Sequence, residues 1–116
     1  MKKIILLMSF IVLTTVAHAF NYGSITVYQN GEYSAPFYIK TSVIYNEVKK
    51  TITFSNNKWG KMVLKIKSSK RIKDVEYHMC NDINTKKFYI VMITMENSIP
   101  YITLSPSEDT LYLFGF

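Results

Sequence analysis

The sequence predicts an all-β fold, a small antiparallel sandwich or barrel of about seven or eight short strands behind an N-terminal signal peptide. Three observations carry this expectation. Apolar and polar residues alternate with a period of two through most runs, as in strands with one buried face. Turn-forming residues separate those runs roughly every 8 to 12 positions. Beyond the leader no window carries the apolar stripe of an amphipathic helix, and nine Tyr and seven Phe, with many Ile, Val and Thr, favour extended backbone.

Met1, Lys2 and Lys3 form a basic start, Ile4 to Val16 an apolar run, and Ala17-His18-Ala19 the small-x-small pattern that signal peptidase cuts. A run of about thirteen apolar residues falls short of the roughly twenty that a membrane-spanning helix needs. Residues 1–19 therefore read as a signal peptide cut after Ala19, and residues 20–116 as a single all-β domain that is secreted or periplasmic.

Within that domain, Ser24 to Gln29 sets Ile25 and Val27 on one face and ends at Asn30-Gly31, a strong hairpin turn. Phe37 and Ile39 share a face in a weaker segment, and the stretch Tyr33 to Glu47 has room for one short helix. Val43 and Tyr45 lead through Glu47 to Lys50 into Ile52 and Phe54, a hairpin pattern. After the turn Asn56 to Gly60, Lys61 to Lys67 places Met62, Leu64 and Ile66 opposite Lys61, Lys65 and Lys67. Ser68 to Arg71 reads as the next turn. Lys73 to Asn81 then alternates, with Val75, Tyr77 and Met79 as the apolar, inward row and Glu76, His78 and Cys80 as the polar one. Phe88 to Met95 is apolar on both faces and reads as the most central strand, followed by Tyr101 to Leu104 and Thr110 to Phe114.

Composition excludes a disordered chain, since 48% of residues are hydrophobic and 15% aromatic. The net charge of +6 falls to +4 once Lys2 and Lys3 leave with the leader. The excess is concentrated: Lys58, Lys61, Lys65, Lys67, Lys70, Arg71 and Lys73 occupy one acid-free stretch, with Trp59 among them. Such a cluster creates a local positive potential that suits an anionic partner or surface. Equally, it serves as a solvated hairpin face that blunts a sheet edge. Six of the seven cations are Lys, which argues against dedicated phosphate or nucleic-acid recognition, where Arg is favoured. Trp59 either contacts a ligand at a loop tip or folds back to cap the end of the sandwich or barrel.

Chemistry-bearing patterns are sparse. Glu76, His78, Cys80 and Asp82 alternate along one strand and so share a face, but four residues in a line cannot enclose a tetrahedral ion. They read as a solvent-facing row, with Cys80 half-buried at its end. A Cys-His nucleophile would require Cys80 to bend back along its own strand to His78. The four glycines, at 23, 31, 60 and 115, form no phosphate-cradling loop. One cysteine allows no internal disulfide, so a monomer with a partly buried thiol is expected. Tyr112, Phe114 and Phe116 alternate as in the last strand of an outer-membrane barrel, although most runs are too short for membrane strands.

The sequence thus points to a small exported binding or interaction domain with no catalytic activity, metal or cofactor. Its partner would be a protein or anionic surface met by the basic hairpin. A small barrel carrying an apolar ligand is the alternative, with an outer-membrane barrel or an uncharacterised enzyme behind it.

Overall fold

The computed structural model describes residues 17–97 and 99–116. Ten antiparallel strands form one sheet: β1 (Ala17–Tyr22), β2 (Ser24–Gln29), β3 (Glu32–Tyr33), β4 (Thr41–Asn46), β5 (Thr51–Asn56), β6 (Gly60–Ile72), β7 (Val75–Asp82), β8 (Phe88–Glu96), β9 (Ile99–Ser107) and β10 (Thr110–Gly115). Their order is β1-β4-β5-β6-β7-β8-β9-β10-β2-β3. From β4 to β10 every strand pairs with its sequence neighbour, so hairpins alone build the meander.

The N-terminal segment shapes the rest. β1 pairs with β4 and β2 with β10, near opposite ends of the order, yet Gly23 alone separates them. The sheet must curl to satisfy both pairings, and it forms a half-barrel. Gly23 N donates to the Gly115 carbonyl at 2.8 Å, fixing the corner. At the β2–β3 turn Asn30 and Gly31 have φ of 53° and 83°, the left-handed pair that a tight two-residue hairpin demands.

The concave side is filled with side chains. Val43, Ile52, Phe54, Leu64, Cys80 and Val91 are fully buried, with Ile102, Leu104 and Phe114 nearly so. The Phe54 and Phe114 rings, on β5 and β10, lie 5.3 Å apart across the curl. Tyr22 joins them 5.9 Å from Phe114, its hydroxyl donating to the Pro100 carbonyl at 2.8 Å. Burial pushes that phenol up to about 12.

Several expectations need correction. The described residues form ten strands rather than seven or eight, because the N-terminal segment splits at Gly23 and a two-residue β3 is added. No helix occurs among the described residues. Tyr33 to Glu47 runs through β3, an isolated bridge between Ile25 and Phe37, and β4. Ser68 to Arg71 do not turn but extend β6 to 13 residues, and the chain reverses at Lys73, with φ 54°. On β7 the faces are exchanged. His78, Cys80 and Asp82 are buried on the concave side, while Val75, Tyr77 and Met79 are half-exposed outside. The register shift between Ile66 and Ser68 skips Lys67, so Ile66 faces Cys80 and Ser69 faces His78. The expected signal peptide, 1–19, lies outside the described residues except for 17–19, which belong to β1.

Candidate functional site

The basic residues fall into three groups. Lys61, Lys65 and Lys67 are exposed on the outer face of β6, about 7 Å apart for alternate positions. Their inward neighbours Leu64 and Ile66 are buried, and that apolar anchor forces the lysines out. Lys58 sits on the β5–β6 turn, its ammonium 4.8 Å from the Phe37 ring centroid. Lys70, Arg71 and Lys73 lie at the far tip of the β6–β7 hairpin, where Arg71 Nη2 meets Glu76 Oε2 at 3.3 Å. A strand of 13 residues is roughly 40 Å long. No compact anion could touch both ends of this cluster.

Trp59 is not part of the outer surface. Its ring packs edge-on against Tyr112 at 5.1 Å and Phe114 at 5.9 Å and covers one end of the core. Asn56 holds it there, since its Oδ1 accepts from Lys58 N at 2.9 Å and Trp59 N at 2.6 Å. The buried Nδ2 of Asn56 donates to Thr41 Oγ1 at 3.2 Å.

Across the strands the lysine face continues into residues that the sequence pattern did not single out. Asn21 pairs with Ser42, Ser42 with Ser55 and Ser55 with Lys61, giving a polar row across β1, β4, β5 and β6. The row floors an open groove of about 800 Å³ with Lys40 and Lys61 among its lining residues. Thr51 lies opposite Lys65, whose Nζ donates to the Lys49 carbonyl at 2.7 Å. The outward residues of β4, of β5 and of β6 as far as Lys67 are Ser42, Ile44, Asn46, Thr51, Thr53, Ser55, Lys61, Val63, Lys65 and Lys67, and none is a carboxylate. Only the alternation on each strand was legible beforehand. The register that lines these residues up was not.

On the concave side of β6 and β7 lies a second constellation. His78 has 2% of its side chain exposed; Ser69 Oγ lies 2.7 Å from its Nδ1 and Glu76 Oε1 lies 3.1 Å from its Nε2. An ionised Glu76 only accepts, so Nε2 carries the proton and Ser69 donates to Nδ1. Tyr45 packs edge-on to the imidazole at 5.4 Å. Burial lowers the His78 pKa, and the attraction of Glu76 offsets part of this, so the ring is neutral near pH 7. The order hydroxyl, imidazole, carboxylate is that of a nucleophile relay. The cavity beside it, however, is lined by Tyr45 and Glu76 and not by Ser69.

The other members of the β7 row have separate structural tasks. Asp82 Oδ1 accepts from Asn84 N at 2.7 Å and Thr85 N at 3.2 Å and so shapes the β7–β8 turn. Cys80 is fully buried, and burial pushes its thiol up to about 12, which keeps it protonated and unreactive. The four residues do not converge, and no group of three metal-ligating side chains occurs among the described residues. Comparison with protein-family models, curated proteins and solved structures gives no match, so any assignment of function rests on this geometry.

Proposed function

We propose that this chain is a small exported binding domain, cut after Ala19, that attaches as a monomer to an extended anionic surface through the outer face of β4–β6 and carries no catalytic activity. The observation behind this reading is the acid-free row of Lys61, Lys65 and Lys67 beside the hydroxyl floor of Ser42, Thr51 and Ser55. Cations spread along a strand suit a surface or polymer better than a small ion. The buried thiol of Cys80 is poorly placed to join two chains, which favours the monomer.

The alternatives fit less well. A transmembrane barrel needs an apolar outer belt on every strand, whereas β6 presents three exposed lysines outward. A carrier with a central apolar cavity would need space that Phe54, Phe114, Leu64 and Leu104 already fill. The proposed cut falls inside β1 and would release residues 17–19 from β4. Phe20 to Tyr22 would hold the strand in place, anchored by the buried Tyr22.

Two measurements test the proposal. Intact mass of the exported chain should correspond to Phe20 as the first residue, and a retained Met1 on exported protein would refute the cut. Binding to vesicles containing phosphatidylglycerol should fall steeply with salt, because exposed charges are screened over about 8 Å at physiological ionic strength. Each lysine near such a surface contributes about 1 kcal/mol. Reversing Lys61, Lys65 and Lys67 to Glu should therefore weaken binding by about 100-fold or more.

A further inference from the structure

At the end of the half-barrel away from Trp59 lies a cavity of about 320 Å³ among residues of β1, β4, β7, β8 and β9. Phe20, Ile93 and Met95 give it apolar walls, Tyr45 adds a second aromatic ring, and Glu47 and Glu76 supply carboxylates. None of its lining residues is Lys or Arg, although the whole chain carries +6. The carboxylates act on the same point: Tyr45 is pushed above its ordinary pKa by burial first, then by Glu76 and Glu47. Glu76 is oriented by His78 on one oxygen and by Arg71 on the other, so part of its charge is offset. Glu47 is exposed on the β4–β5 turn.

We infer that this mouth binds an organic cation, a substituted ammonium whose alkyl groups lie against Phe20, Tyr45, Ile93 and Met95 while Glu47 and Glu76 meet its charge. The apolar walls make it more than an acidic patch. A metal ion or a fully hydrated ammonium would gain nothing from them, whereas an alkylammonium is weakly hydrated and is drawn to aromatic faces. The volume is at the lower end of ligand-sized sites, suited to a headgroup or small amine. A cation here is also complementary to the local charge and opposed to the chain's overall sign, so the site discriminates against the anions that the β4–β6 face attracts. His18 also lines the cavity, so a cut after Ala19 would open that side of the mouth and leave Phe20, Tyr45, Glu47, Glu76, Ile93 and Met95, the residues the inference uses.

The test is a titration of the exported chain with choline and with its neutral isostere 3,3-dimethyl-1-butanol, followed by the NMR shifts of the Met95 methyl and Ile93 methyl groups. Choline should bind at least tenfold more tightly than the alcohol. E47Q should weaken choline at least fivefold and leave the alcohol unchanged, and M95K, at a half-exposed position, should abolish choline binding. Phosphatidylcholine vesicles in a parallel arm separate the sources. Choline binding without vesicle binding assigns a free amine, and vesicle binding that E47Q abolishes assigns a lipid headgroup. Equal affinity for choline and the alcohol, no shift at Met95 or Ile93, or an E47Q variant that binds choline as the parent does would overturn the inference. K61E/K65E/K67E should leave choline binding intact, which separates this site from the surface attachment.

Discussion

The outer face of β4–β6 and that of β7–β10 belong to one sheet and differ in charge and in the share of large apolar side chains. The first carries Ser42, Asn46, Thr51, Thr53, Ser55 and the β6 lysines, with Ile44 and Val63 among them. The second carries Tyr77, Met79, Ile90, Met92, Leu111 and Leu113, all half-exposed. Their concave sides are alike in being apolar with buried polar groups among them: Val43, Ile52, Phe54 and Leu64 with Thr41 and Asn56 under β4–β6, and Cys80, Val91, Ile102, Leu104 and Phe114 with His78, Asp82 and Thr110 under β7–β10. Alternation fixes which residues share a face. Which face is buried is decided by partners, and on β7 polar groups could be buried because Ser69, Glu76 and the backbone of the Asp82 turn satisfy them.

The largest effect that sharpens this comparison comes from the side chain bridging the two halves. Phe54→Ala, which removes a fully buried ring packed on Phe114, should cost about 3–5 kcal/mol in urea unfolding. Met92→Thr, on the outer face of β8, should stay within about 1 kcal/mol. Equal losses would mean that the outer face of β8 is covered rather than half-exposed.

The two regions also differ in how much could be read beforehand. On β6, Met62, Leu64 and Ile66 against Lys61, Lys65 and Lys67 marked the inward row, and the hairpin before it followed from Asn56 to Gly60, whereas the reversal after it lies at Lys73 and not at Ser68 to Arg71. On β7, Val75, Tyr77 and Met79 formed the more apolar row and read as the core. The bulge at Lys67 and the pairing of Ser69 with His78 are matters of register between strands, which the sequence of either strand alone does not contain. The same gap hid the polar row Asn21, Ser42, Ser55 and Lys61. Nothing in the sequence around Gly23 singles it out, yet it is the corner through which one segment serves both ends of the sheet.

The inward polar row makes a pH-dependent prediction. The His78 pKa lies below its unfolded value of about 6.5. The unfolded chain therefore binds the additional proton in this window. Stability should be fully present above about pH 6.5, fall as the pH drops, and level off once the folded-state pKa is passed. His78→Gln should remove that segment of the pH–stability curve and cost about 1–3 kcal/mol at pH 7, since Glu76 and Ser69 lose their partner. A curve of unchanged shape in the variant would show that another group titrates.

A smaller effect concerns Ser69, whose hydroxyl donates to that neutral imidazole. If the cluster is structural, a fluorophosphonate probe should leave the chain unlabelled over hours. Labelling at Ser69 that disappears in His78→Gln would convert the cluster into a nucleophile relay and contradict the non-catalytic reading.

The role of the β4–β6 outer face is tested most directly by placing the same charge change on it and away from it. K65E/K67E alters the β6 row, and K86E/K87E makes an equal change at the β7–β8 turn, so both variants carry the same net charge. In sedimentation with phosphatidylglycerol vesicles at physiological salt, the account predicts at least tenfold weaker binding for K65E/K67E and a change within about twofold for K86E/K87E. Equal weakening of both would show that net charge, and not the lysine and hydroxyl face of β4–β6, governs attachment.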